Sequence, residues 1–202
     1  MRSDDADGAA QMIDHLVNVG HHDIALITGP QATTGRARRA AAIARLVHHG
    51  CTTQWVEEGD FQPESGRRAT ARILDADPWP TVIFAADNLM AVGALLELSE
   101  RGLRVGDAIA LAGFDDAPWF GALNPPLTVI AQDVPGLGTQ ALSVLRSLID
   151  GDDVVGFTDI QLAVQLRVRG SCAPPTGTTT AANPHRREVH MSRPLLELRG
   201  VN

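Results

Sequence analysis

Short apolar segments alternate with amphipathic segments of ten to sixteen residues over most of this chain, between residues 8 and 169. The clearest apolar segment, residues 81–86 (TVIFAA), contains no charged residue, so a strand formed by it would be uncharged on both faces. Strands that are apolar on both faces are typical of parallel sheets covered by helices on each side. Strands separated by helices of this length form βαβ units. We therefore predict an α/β domain with a mainly parallel sheet flanked by helices.

The predicted elements follow from apolar periodicity and from glycine, proline and acidic residues at helix ends. Strands are predicted at residues 23–28, 54–56, 81–86, 108–112, 127–131 and 160–168. Helices are predicted at residues 9–19, 35–49, 63–76, 89–101 and 135–150, and residues 113–126 are predicted to form a loop.

Composition narrows the class of protein further. The chain has 202 residues, 44% of them hydrophobic and 20% charged, as in an ordinary globular protein. A net charge of −7 repels phosphate backbones, so we expect no DNA binding by this surface itself. No apolar run reaches 18 residues, and the acidic opening at residues 1–7 does not resemble a signal peptide, so we expect a cytoplasmic protein with no membrane partner. Cys51 and Cys172 define neither a disulfide framework nor a zinc site.

Motifs that identify common enzyme classes are missing. There is no Walker A sequence, no G-x-G-x-x-G after a strand and no G-x-S-x-G elbow. The histidine pairs at residues 21–22 and 48–49 lie near helix ends, where polar or cationic residues are favoured for reasons unrelated to metal binding. We expect neither a metal site nor a cofactor.

Polar and aromatic residues follow several of the predicted strands, namely Thr33, Arg39, Phe61, Asp87 and Asp115. Ligands of open α/β sheets bind outside the carboxyl ends of the strands. An arginine fork and carboxylates bind hydroxyl groups, and an aromatic ring stacks on the apolar face of a sugar or base. Each residue also has a structural explanation: Arg39 as a solvated helix arginine, Asp87 as a helix cap and Phe61 as loop packing. A polyol site and these local roles both remain open at this point.

Several sequence segments carry a resemblance to a known family. They are residues 20–30 (GHHDIALITGP), 59–66 (GDFQPESG), 88–95 (NLMAVGAL), 108–116 (AIALAGFDD) and 124–132 (NPPLTVIAQ). Together, and in this order, they resemble the lac-repressor (LacI/GalR) family of transcriptional regulators over about residues 5–169.

The resemblance implies an effector domain similar to periplasmic sugar-binding proteins, with two α/β lobes and a cleft between them. In that alignment Arg39 matches the effector-binding arginine and Phe61 the aromatic that stacks on the ligand. Asp87 matches a polar residue, usually Asn, that opens a helix. Asp115 matches the first acid of the Gly-Phe-Asp-Asp motif, and Gln132 matches the glutamine at the crossover to the first lobe.

The sequence fits the family pattern less well at three places. Thr33 is a weaker match, in the loop before the arginine helix. The family usually has Gly-Phe three residues after its arginine, where this chain has residues 42–43 (AI), and its usual Asn-Asp is inverted at residues 87–88. An ionised acid in place of the amide supplies no hydrogen-bond donor, so the identity of the effector does not transfer.

The family mechanism implies a small-molecule effector, a homodimer and operator DNA bound through a helix-turn-helix headpiece, without catalysis. Aligned in this way, Met1 falls in the middle of the effector domain, so we expect a fold truncated at its N-terminus. Residues 1–171 would then be a partial effector domain, mostly the second lobe, with residues 135–150 as a helix returning to the first lobe. We expect no operator-specific DNA binding and weak or absent sugar binding by these 202 residues.

Residues 172–202 are predicted to be a flexible tail, because they are rich in Pro, Gly and Thr. Residues 191–202 (MSRPLLELRGVN) resemble the opening of an ABC-transporter ATPase subunit. Two alternatives to the regulator remain: a sugar-binding protein of an ABC transporter, and an α/β glycoside-acting enzyme with Asp87 and Asp115 as its acid/base pair.

Overall fold

In this computed structural model, a six-stranded sheet forms the centre of the described chain, which comprises residues 1–51, 53–151 and 160–175. The strands are β1 (Arg2–Ser3), β2 (Ile24–Thr28), β3 (Val56–Glu58), β4 (Val82–Ala85), β5 (Ala110–Phe114), β6 (Thr128–Gln132), β7 (Gln161–Leu162) and β8 (Val164–Arg167). The sheet order is β3-β2-β4-β5-β6-β8, and β1 pairs with β7 in a separate parallel ribbon. Only the β6–β8 pair of the main sheet is antiparallel among these residues, which confirms the predicted mainly parallel α/β fold.

The described residues form five α-helices, and three of them begin at an aspartate cap: Asp4, Asp87 and Asp133. The helices are α1 (Asp5–Val19), α2 (Thr33–His48), α3 (Pro63–Asp75), α4 (Asn88–Glu100) and α5 (Val134–Asp150). The α1 helix begins four residues before its predicted start because Asp4 accepts a hydrogen bond from the Asp7 amide, at 3.0 Å. It ends at Gly20, whose φ of 107° favours glycine.

The two faces of the sheet bury two separate apolar clusters, because successive side chains of a strand point to opposite faces. In β2, Ala25 and Ile27 face α3 and α4, while Ile24 and Leu26 face α1 and α2. The same alternation continues in β4, where Ile83 joins the first cluster and Phe84 the second. This double burial is the reason why central strands such as β4 and β5 are apolar along their whole length.

Four local predictions differ from the structure. The predicted loop at residues 113–126 contains a short 3-10 helix, Pro118–Ala122, because Phe120 inserts fully into the core. The predicted strand at 160–168 is divided into β7 and β8, which pair with different partners. The predicted strands at 54–56 and 108–112 lie two residues later in the structure, at β3 and β5.

The α5 helix differs from the other four because none of its residues is buried. Leu142 and Ile149 on this helix are 69% and 76% exposed. No helix of the described residues combines the length and apolarity that a membrane span requires. Cys172 and Ala173, at the start of the predicted tail, pack on the body: Cys172 is buried, and the Ala173 carbonyl oxygen lies 3.0 Å from Nε2 of His21. Residues 176–202 lie outside the described residues, so the tail and its ATPase resemblance remain predictions.

Candidate functional site

Four of the residues predicted from the sequence meet at the carboxyl edge of the parallel strands. Phe61 follows β3, Asp87 follows β4, Asp115 follows β5, and Gln132 is the last residue of β6. All four line one open depression of about 510 Å³. Their convergence follows from the topology, because neighbouring parallel strands end at the same edge of a sheet.

Asp87 is both a helix cap and a residue of this depression. Its Oδ1 accepts hydrogen bonds from the backbone amides of Leu89 and Met90, at 2.9 and 3.0 Å. Burial raises the pKa of Asp87 above its usual value, and the nearby charge of Asp115 raises it further. The local role and the site role therefore coexist, since the cap occupies one carboxylate oxygen and Oδ2 makes no hydrogen bond with a described residue.

Asp115 lies at the centre of a hydrogen-bonded chain. Its Oδ1 accepts from the Gln132 side-chain amide, and the Ser3 hydroxyl donates to the carbonyl oxygen of that same amide. Its Oδ2 lies 3.5 Å from Nη1 of Arg38. The backbone of Asp115 has a φ of 70°, a conformation that few residues other than glycine adopt. The chain of contacts fixes the direction of this carboxylate and connects β1 to the ends of β5 and β6.

The arginine that lines the depression is Arg38, whereas the sequence prediction named Arg39. Arg38 is only 3% exposed, donates from Nε to Asp5 and from Nη1 to the Ala86 carbonyl, both at 2.8 Å, and lies 3.5 Å above the ring centre of Phe114. Arg39, the next residue along α2, does not line the depression itself, and its Nη1 lies 3.8 Å from Oε2 of Glu58, the last residue of β3.

The helical period explains this difference. Residues at spacings of three and four lie on one face of a helix, and the buried residues of α2 are Gly35, Arg38, Ala42 and Leu46. Continuing the apolar stripe of α2 backwards from Leu46 and Ala42 leads to Arg38. The sequence therefore contained the signal that places Arg38 on the inner face.

Phe61 is held by a close approach between two loops. Its φ is 63°, and its ring occupies the space that a Cβ at Gly29 would require. Only glycine fits at position 29 without displacing the ring. The ring remains partly exposed at the edge of the depression, where it can contact a ligand.

Other residues of the depression were missed or are only partly described. Thr33 is the first residue of α2, but its side chain is outside the described part of the structure; its neighbour Thr34 lines the depression. Ser3 and Asp5 also line it, and no motif in the sequence marks them. They reach this edge because β1 pairs with β7, a contact between distant segments that local patterns do not reveal.

The second acid of the Gly-Phe-Asp-Asp motif has a different role from the first. Asp116 accepts two hydrogen bonds from Arg169, at 2.7 and 2.9 Å, and one from Arg167 at 2.6 Å. Burial raises the pKa of Asp116, but the hydrogen bonds from both arginines outweigh burial, and the pKa lies below its usual value. Asp116 thus attaches β8 to the sheet beside the site.

Comparison with known proteins gives a consistent result. Residues 13–172 match the model of a periplasmic binding protein-like domain. The HTH-type transcriptional repressor PurR of Haemophilus influenzae is 35% identical over 173 residues, which are 82% of this chain and 51% of that protein. The chain therefore spans about half the length of the curated relatives it matches.

Solved structures agree with this match. A dimeric lac repressor with a C-terminal deletion superposes with a TM-score of 0.79 at 34% identity, covering 86% of this chain and 64% of that one. A LacI transcriptional regulator from a Rhodococcus species gives a TM-score of 0.77 at 30% identity, covering 86% and 64%. A lac repressor dimer bound to operator and the anti-inducer ONPF gives 0.75 at 33% identity, covering 85% and 52%.

Proposed function

The chain belongs to the periplasmic binding protein-like domain family in the form found in LacI-type transcriptional regulators, and from this premise we propose that the depression described above binds the regulator's effector, a sugar or related small metabolite. The observation that carries this proposal is the meeting of Phe61, Asp87, Asp115 and Gln132, which come from four separate strand ends, in one depression.

The chemistry of the depression suits a polyol. The ring of Phe61 can stack on the apolar face of a sugar, while the carboxylates of Asp87 and Asp115 accept hydrogen bonds from hydroxyl groups. Arg38 supplies a fixed guanidinium on the same side. Arg39 and Thr33 stay in the proposal as residues that contact the effector from the β3 side, because α2 begins at Thr33 and Arg39 lies beside the end of β3.

For the whole protein we propose the action of a repressor in the cytoplasm. A lac repressor dimer is known bound to operator and an anti-inducer, so the relatives combine a small molecule and DNA in one assembly. On this model the effector shifts a homodimer between two arrangements that differ in operator affinity, and the shift equals the effector's preference for one arrangement.

The relatives named above are transcriptional repressors and not enzymes. Nothing in these comparisons favours the transporter alternative. Nothing in these comparisons favours the glycosidase alternative either, in which Asp87 and Asp115 would act as an acid/base pair.

The test is a ligand titration of this chain followed by amide NMR. We expect sugars at millimolar concentration to shift the amide signals of Phe61, Asp87, Asp115 and Gln132, with dissociation constants of about 1–50 mM. Signals of the opposite edge, such as Val105, serve as the internal reference. Shifts confined to other surfaces, or no shift with any sugar or small polyol at 100 mM (about twice the weakest expected constant), would contradict the proposal.

A further inference from the structure

We propose that the effector presents a protonated amine to Asp87, so that the ligand class is an amino sugar or amino alcohol and not a neutral or phosphorylated sugar. This inference rests on the proposed function, since it concerns the same depression. It makes Asp87 the residue that determines specificity at this site.

The charges that face the depression carry the argument. Three carboxylates line it, those of Asp5, Asp87 and Asp115, against two guanidinium groups, those of Arg2 and Arg38. Two of these carboxylates, those of Asp87 and Asp115, directly follow the adjacent paired strands β4 and β5, so negative charge is concentrated beside these two strand ends. A phosphate would add to this charge, whereas an ammonium group would reduce it.

The positive charge of Arg38 is already used within the protein. Its Nε is paired with Asp5, whose side chain is 12% exposed, and its Nη1 bonds the Ala86 carbonyl while lying 3.5 Å from Asp115. The face of the guanidinium rests on the ring of Phe114. Arg38 therefore balances Asp5 and part of Asp115, and Asp87 is the acid of the depression without a bonded cation among the described residues.

The hydrogen bonds of Asp87 also favour a ligand group that donates to its carboxylate. Oδ1 accepts from two backbone amides, so Oδ2 is the atom left for a ligand. An ionised carboxylate only accepts hydrogen bonds, while an amide at this position would also donate. The matching ligand group must donate, and a charged donor makes the stronger bond. A cation there would also relieve the repulsion between Asp87 and Asp115.

The test uses three matched ligand series on the full chain at pH 7, read from amide NMR shifts at the site. The series are glucosamine, glucose and glucose 6-phosphate; galactosamine, galactose and galactose 6-phosphate; and glucamine, sorbitol and sorbitol 6-phosphate. In each series that binds, we expect the amine to bind about tenfold more tightly than its neutral parent, as for a hydrogen bond to a charged group. The advantage should shrink when the salt concentration rises.

Two variants separate the site from general attraction to an acidic protein. Asp87→Asn keeps a good helix cap but removes the charge, so it should abolish the preference for amines. Asp133→Asn is the matched control, because Asp133 caps α5 in the same way, through the Gly136 amide, and is not part of the depression. It should leave the preference unchanged.

The outcomes distinguish the two proposals. Equal or tighter binding of the neutral or phosphorylated member, or an amine preference that survives in Asp87→Asn, overturns the inference and leaves the effector site intact. Shifts that Asp133→Asn reduces as much as Asp87→Asn does also overturn it, since they indicate nonspecific attraction. No shift at this edge with any member of the three series contradicts the proposed function, and the inference is then wrong with it.

Discussion

The helices α4 and α5 are both rich in apolar residues, yet α4 is packed into the core and α5 is largely exposed. Six residues of α4 are buried, including Leu98, whereas no residue of α5 is buried and five of its large apolar side chains are more than half exposed. An apolar stripe therefore shows that a helix face is suited to burial, but a second surface must be present to cover it.

The difference comes from what lies opposite each helix. The α4 helix packs closely against α3. A Cβ at Gly93 would overlap the carbonyl oxygen of Pro63 and lie 2.6 Å from the backbone nitrogen of Arg67. In the first turn of α5, a Cβ at Gly136 would lie 2.9 Å from the Leu162 side chain, whereas nothing lies within 4 Å of one at Gly138. Residues 135–150 match a helix that returns to the first lobe in the family, and that assignment remains a prediction.

The largest expected contrast is between one leucine on each helix. Leu98→Ala should lower the free energy of unfolding by about 3–4 kcal/mol, because Leu98 is 1% exposed and its loss leaves a cavity. Leu142→Ala should change it by less than about 0.5 kcal/mol, since the side chain is in solvent. Urea unfolding followed by circular dichroism measures both. Equal losses for the two variants would show that α5 is covered in solution.

The second contrast is between the same substitution, glycine to alanine, at one position on each helix. Gly93→Ala should cost about 2–3 kcal/mol, because the new Cβ meets backbone atoms of α3 that cannot move independently. Gly138→Ala in α5 should raise the free energy of unfolding by about 0.5–1 kcal/mol, because nothing lies within 4 Å of the new Cβ and alanine favours a helix. The same unfolding measurement applies. A stabilised Gly93→Ala variant would refute the close packing of α3 and α4.

The smallest expected contrast in the free energy of unfolding is between two aspartates, Asp116 and Asp150. Asp116→Asn should cost about 2 kcal/mol at pH 7, because the side chain is 9% exposed and accepts from two arginines. Asp150→Asn should cost less than about 0.5 kcal/mol, since its pair with Arg146 in α5 is exposed.

The pH dependence of that contrast has a definite sign. The pKa of Asp116 is lower in the folded protein than its usual value, so its contribution is complete above about pH 4 and is lost as the pH falls through the folded pKa. The difference in stability between wild type and Asp116→Asn should therefore shrink from pH 7 toward pH 2. A difference that stays constant over this range would contradict the ion pairs with Arg167 and Arg169.

Much of the fold and part of the candidate site could be predicted from local patterns. Apolar strands such as 81–86 predicted a covered parallel sheet, and strand ends placed Phe61, Asp87 and Asp115 in one region. The family resemblance added Gln132. The family resemblance named Arg39, whereas the buried stripe of α2 leads to its neighbour Arg38, which lines the depression. Ser3 and Asp5 could not be found, since they reach the site only through the pairing of β1 with β7.

The sequence by itself determined the order of strands and helices, the apolar character of both sheet faces and the edge at which polar residues collect. These properties depend on residue type and on periods of 2 and 3.6, which act over a few residues. Only the tertiary structure decided that Ser3 and Asp5 reach the site, that Asp115 is held by Gln132 and Arg38, and that α5 lies uncovered. These outcomes depend on contacts between segments far apart in the chain, and no local period encodes which surfaces finally meet.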